Sequence, residues 1–124
     1  MTYLIDVNVI YAAIWSQQPS HDKVWAWLAG KNIAVCPLVE LGFIRISTHP
    51  KVGGVPMKET RTGLENFLKE RKATWLPDDL PALARAPQKT DEVTDSYLAE
   101  LAQRHGLKLA TMDTGIKHPA AGVI

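Results

Sequence analysis

The chain has 124 residues, 46% of them hydrophobic, and its charges nearly balance at a net +1 with a pI near 7.9. That balance excludes a strongly basic nucleic-acid binder, so any nucleic-acid contact has to come from a local patch. The length suits one domain over residues 1–124 that buries about two-thirds of its unfolded surface without disulfides.

Tyr3-Leu4-Ile5 is a short apolar run ending at Asp6 and reads as a buried strand. The opening stretch carries no basic n-region or apolar h-region, and no run approaches the ~20 residues of a membrane span, so a cytoplasmic chain without membrane contact is expected. From Asn8 to Trp15, residues Val9, Ile10, Ala13 and Ile14 have helical spacing. A second helix is expected from Ser20 as N-cap to Gly30 as stop. Ile33 to Cys36 is a second buried strand, and it makes Cys36, the only cysteine, a core thiol compatible with a reducing compartment.

Pro37 suits the first turn of a helix running from Leu38 to about Ser47. His49 to Pro56 is rich in breakers and reads as a loop. Met57 to Arg71 reads as a helix with Leu64, Phe67 and Leu68 on one face, and Thr74 to Pro77 as a short strand. Asp78 to Gln88 suggests one helix interrupted by prolines. Thr94 is expected to cap a helix running to His105 and ending at Gly106. Leu107 to Thr111 is a third clear strand, and Gly122 to Ile124 a final one. Strands alternating with helices predict an α/β fold with a mainly parallel sheet.

Most of the thirteen acids fit polar helix faces. Glu59, Glu65 and Glu70 belong to one such face, and Glu100 can pair with Arg104 at i,i+4. Four others stand out. Asp6 follows a buried strand, Glu40 lies inside the apolar run Pro37–Ile44, Asp95 sits in the first turn of a strong helix, and Asp113 lies just past the strand ending at Thr111. Taken singly, Asp6, Asp95 and Asp113 are better explained as caps, turns or dipole complements than as ligands. Glu40 resists that explanation, because a carboxylate among apolar neighbours is costly to bury without a partner, and no cation is near except Arg45.

Ligands of open α/β sheets bind beyond the carboxyl ends of the strands, where these acids are expected. Two carboxylates about 5 Å apart at an effective dielectric of about 20 repel by roughly 3 kcal/mol. A cluster of four therefore needs protonation or a divalent cation. Oxygen-only ligands favour magnesium or manganese, which activate water and hold a phosphodiester for in-line attack. His21, His49, His105 and His118 show no ligand spacing and read as surface or capping residues. An Asp-x-Asp phosphatase is excluded because Asn8 stands where its second acid belongs. A phospho-receiver is excluded because no Asp lies between Asp22 and Asp78.

Leu4-Ile5-Asp6-Val7-Asn8-Val9-Ile10, the internal Glu40, Thr94 to Ala102 and Leu109-Ala110-Thr111-Met112-Asp113 together resemble the PIN-domain nucleases, in particular the VapC branch of toxin–antitoxin ribonucleases. The order of the four acids agrees across essentially the whole chain. The resemblance implies a three-layer α/β/α sandwich and a Mg/Mn-dependent endoribonuclease. It makes Asp6, Glu40, Asp95 and Asp113 the metal-binding and catalytic acids, supported by Asn8 and Thr111. It further implies an RNA substrate, a VapB-like antitoxin that covers the site, and a homodimer. Many members carry Thr or Ser in place of Val7, which cannot donate a hydrogen bond. Trp15, Trp25, Trp27 and Trp75 suit either an interface or the core. Arg45, Lys51 and Lys58, with the run Lys69, Arg71 and Lys72, are candidate RNA contacts or a solvated face. An inactive PIN-like module that binds RNA or protein is the alternative.

Overall fold

The computed structural model describes residues 1–84 and 89–124, with Asp91 described by its backbone alone. Five strands form one sheet: β1 (Thr2–Ile5), β2 (Asn32–Val35), β3 (Thr74–Trp75), β4 (Lys108–Thr111) and β5 (Ala121–Val123). Their order is β3-β2-β1-β4-β5, and every pairing is parallel. Register pairs Tyr3 with Ile33 on one side of β1 and with Lys108 on the other. Leu4, Ile5, Ile33, Ala34, Val35, Leu109 and Ala110 are all buried, as central parallel strands covered on both faces require.

Among the described residues, five α-helices flank the sheet in an α/β/α sandwich: α1 (Val7–Ile14), α2 (His21–Leu28), α3 (Pro37–Thr48), α4 (Met57–Glu70) and α5 (Val93–Arg104). Helices α1, α3 and α4 pack against one another, and α5 packs on β1 and β4. The contact between α1 and α3 is close because Gly42 has no Cβ, which would lie 2.7 Å from Val7 Cγ2. Val7 therefore spends its side chain on helix packing. Pro37 opens α3 as expected, and α5 ends before Gly106, which takes φ +71°.

Two expectations change. A 3-10 turn at Thr90–Glu92 leads into α5, so Thr94 lies inside the helix and Glu92 takes the cap position. Residues 78–84 of the expected Asp78–Gln88 helix are not helical, and 85–88 lie outside the described residues. Pro81 removes an amide donor there. The segment is held instead by side chains: the Tyr97 hydroxyl donates to the Leu80 carbonyl at 2.9 Å, and His105 Nε2 meets Asp79 Oδ1 at 2.9 Å. No described helix is long and apolar enough to cross a membrane.

Candidate active site

The connection leaving β1 goes to β2 on one side, while β4 joins on the other, so the crevice beyond the carboxyl ends of β1 and β4 is the switch point of the sheet. Asp6 and Thr111 sit at its two lips. The Asp6 amide still belongs to the sheet and donates to the Ala110 carbonyl at 2.9 Å, while its side chain begins the helix. Oδ1 of Asp6 accepts the Val7 N–H at 2.7 Å, capping α1. Oδ2 accepts the Thr111 hydroxyl at 2.8 Å.

A hydroxyl has one proton to give and two lone pairs. Thr111 gives its proton to Asp6, and its oxygen accepts the Asp113 N–H at 3.0 Å and faces Asn8 Nδ2 at 3.5 Å. Asn8 closes the ring by accepting the Met112 N–H on Oδ1 at 3.2 Å. Asn8, one residue into α1, thereby clamps the turn that follows β4. Asp113 is exposed beyond it, with Oδ1 accepting the Gly115 N–H at 2.8 Å.

Asp6 is only 4% exposed. Burial pushes its carboxyl above the ordinary aspartate value; the Thr111 hydroxyl and Val7 N–H pull it back, and the Asp113 carboxylate pushes it up again. Among the described residues no cation figures in that balance. Among the described residues, the pair is an anionic nook supported by neutral donors.

Glu40 has its partner outside this ring. Glu40 is half-buried in the first turn of α3, and its Oε1 accepts the Trp75 indole N–H at 3.0 Å. Its partner is thus an aromatic donor on β3 rather than a cation. Asp95 is half-buried in the first turn of α5, which packs on β1 and β4. Among the described residues, no three His, Cys, Asp or Glu side chains stand close enough to hold one ion as placed. The structure gathers Asp6, Asn8, Thr111 and Asp113, pairs Glu40 with Trp75 and places Asp95 in the first turn of α5.

The PIN-domain family model matches residues 3–122. The chain belongs to the PIN-domain family. Ribonuclease VapC38 of Mycobacterium tuberculosis is 32% identical to this PIN domain, over 91% of this chain and 86% of the relative. Ribonuclease VapC39 of the same organism is 30% identical, over 100% of this chain and 98% of its own length. The crystal structure of VapBC2 from Rickettsia felis, bound to a DNA fragment from their promoter, contains a chain of the same fold. It superposes with a TM-score of 0.66 at 15% identity, covering 100% of this chain and 99% of that one.

Some roles in this PIN domain were not visible in its sequence. Trp75 lies 35 residues from the carboxylate it serves. His118 is neither a surface nor a capping residue but is buried: its Nδ1 accepts the Ala120 N–H at 2.9 Å, so Nε2 carries a proton and donates it to Glu100 Oε2 at 2.7 Å. Arg71 is occupied structurally, donating to the Leu28 carbonyl at 2.7 Å with its guanidinium over the Trp25 ring. It therefore drops out of the candidate RNA contacts, while Arg45, Lys51 and Lys58 remain exposed.

Proposed function

We propose that this PIN domain is a divalent-metal-dependent endoribonuclease, with the whole chain as its one nuclease domain, acting as the toxin of a toxin–antitoxin pair. The observation that carries the reading is the Asp6–Asp113 nook: two carboxylates at the switch point of a parallel sheet, one of them buried, with neutral donors around it among the described residues. Its likeness over nearly full length to proteins named VapC ribonucleases supports the substrate class.

The donor set fits a hard cation. Every candidate ligand atom is an oxygen, and the proton affinity that burial forces on Asp6 is an affinity for positive charge in general. Asp6 and Asp113 would hold magnesium or manganese, with Glu40 and Asp95 as the further acids. When bound, the ion supplies Lewis acidity toward a phosphodiester and a more acidic water. The chain's own residues do the rest. Thr111 fixes the Asp6 carboxylate through Oδ2, and the Val7 N–H fixes it through Oδ1. Asn8 sets the position of the Met112–Asp113 turn relative to α1. The exposed cations Arg45, Lys51 and Lys58 engage RNA phosphates with strong salt dependence. In this reading the protein works in the cytoplasm as a homodimer, away from membranes, and a VapB-like antitoxin silences it by covering the acids.

The test is cleavage of structured RNAs and of DNA by the purified chain, with magnesium, manganese or EDTA, beside Asp6→Asn. The expected result is metal-dependent scission of RNA that Asp6→Asn reduces to background while RNA binding persists. Binding without scission under every metal condition would make the chain an inactive PIN-like module. Equal cleavage by the variant would refute the assigned site.

A further inference from the structure

A cavity of about 590 Å³ opens directly beside the acidic nook, sharing Asn8 and Met112 with it. It runs along α1, where Tyr11 and Ala12 lie one helical turn beyond Asn8 on the same face. The segment after α1 contributes Gln18, and the turn after α3 contributes Lys51 and Val52. Its volume lies in the ~300–1,000 Å³ range of small-ligand sites.

The lining has a definite chemistry. Among the described residues no carboxylate lines the cavity, although Asp6 and Asp113 lie next door. One aromatic ring, several apolar side chains, the two side-chain amides of Asn8 and Gln18, one serine hydroxyl and one cation do. A nucleobase needs a flat apolar or aromatic surface for its face and an amide-like donor and acceptor for its edge, and its backbone needs a cation. A purely ionic ligand would find one lysine and a mostly apolar wall.

The wall carrying Lys51 is held firmly. The His49 ring accepts the Lys51 N–H at 3.0 Å, and the His49 carbonyl accepts the N–H groups of Val52 and Gly54. Gly53 N–H donates to the Ile46 carbonyl at 3.2 Å. The turn lies so tightly on the end of α3 that a Cβ at Gly53 would stand 2.3 Å from the Ser47 carbonyl oxygen. Lys51 is thus displayed by a braced turn at the mouth of a cavity that continues from the nook.

We infer that this cavity is a subsite for one nucleobase of single-stranded RNA next to the scissile phosphate, with Tyr11 as its stacking face, Gln18 at its edge and Lys51 on the adjoining phosphate. The inference rests on the ribonuclease reading for the identity of the strand, but its test reads binding and so is separable from cleavage. Tyr11, Gln18 and Lys51 are specificity residues here; none belongs to the acid ring.

The experiment measures binding of the full chain to short single-stranded RNAs by fluorescence anisotropy in EDTA, with one abasic position walked along the strand. Wild type is expected to lose about tenfold in affinity when the abasic position occupies the subsite, the size of one base–aromatic stack. Tyr11→Leu should bind intact RNA about tenfold more weakly and show no abasic effect, and Tyr11→Phe should restore both. Lys51→Ala should lower the salt slope by about 0.7, one single-strand phosphate contact. Because Tyr11 is partly packed on the core, the melting temperature of each variant is measured alongside. Equal affinity of wild type for intact and abasic strands would overturn the inference. So would an unchanged abasic effect in Tyr11→Leu, or a variant that weakens antitoxin binding while leaving the RNA profile intact. Absence of cleavage with the abasic effect intact would instead remove only the nuclease reading.

Discussion

Thr111→Val tests how the buried charge of Asp6 is tolerated. The two side chains have nearly the same shape, and β-branched valine suits β4, so the change removes a hydroxyl and little else. Thr111 is fully buried, and its proton goes to Asp6 Oδ2 at 2.8 Å. A hydrogen bond to a charged partner contributes about 1.5–3 kcal/mol, against about 1 kcal/mol for a neutral one. The Asp113 N–H also loses its acceptor, but Asp113 is exposed and water can replace it.

The sign of the pH dependence follows from the direction of the Asp6 shift. The folded carboxyl lies above its ordinary value of 3.8, so the folded chain holds the proton more tightly than the unfolded chain does. The contribution of Asp6 to stability is fully present below 3.8 and is lost as pH rises through the folded value. Thr111 supplies the largest of the influences that pull that value down. Without it the folded carboxyl rises further and the loss at neutral pH grows. At pH 7 in EDTA, Thr111→Val should destabilise by about 2 kcal/mol, roughly 7 °C in Tm for a chain this long. At pH 3 the deficit should shrink to about 1 kcal/mol. Calorimetric melts across that range check both numbers. An equal deficit at the two pH values would refute the claim that Thr111 acts on the carboxylate charge.

Three further changes probe neighbouring features. Asp6→Asn keeps an N-cap of equal quality on α1 but removes the buried charge, so the metal-free Tm at pH 7 should rise and the stabilisation by magnesium or manganese should vanish; thermal shift with and without metal reads both. Gly53→Ala drives a Cβ into the Ser47 carbonyl and should cost about 1–3 kcal/mol in urea unfolding, with Lys51 losing its contribution to the salt slope. Cys36 is fully buried, its thiol is pushed up to about 12 by burial, and the thiolate is the reactive form. Iodoacetamide at pH 8 should therefore leave native protein unmodified by mass and alkylate it fully in urea; native labelling at the rate of a free thiol would contradict the packing.

The sheet was legible in the sequence because each central strand carries a short apolar stretch (Leu4-Ile5, Ile33-Ala34-Val35, Leu109-Ala110), and such stretches report burial on both faces without any knowledge of neighbours. The five helices were legible for the same reason of period, with an end displaced at Thr94, where a 3-10 turn precedes the helix, but the proline-interrupted helix expected from Asp78 was wrong over residues 78–84. What could not be read is what depends on distant partners. The Glu40–Trp75 bond, the His118–Glu100 bond and the tether of residues 78–84 to α5 each join residues at least 17 positions apart. No periodicity encodes such pairs. Of the four acids singled out in the sequence, the ring joins Asp6 and Asp113, and it adds the reason Asn8 and Thr111 accompany them.

That ring also explains why Asp6 looked ordinary when taken alone. In a parallel sheet every following helix starts at the same edge, so the amino ends of α1, α3 and α5 share the side on which strands end. Each of these helix starts favours negative charge. Asp6 caps α1, Glu40 lies in the first turn of α3 and Asp95 in the first turn of α5. The fold therefore gives each acid a local electrostatic role before any ligand is considered. The same geometry directs three acids on separate helices to one edge without requiring contact between them, which keeps their mutual repulsion small in the free chain. A cation near Asp6 would reverse that balance, making close approach of the acids favourable where it was costly. On the proposed reading the nook of Asp6 and Asp113 would be the seed of the site, and Glu40 would give up the hydrogen bond from Trp75 in order to join it.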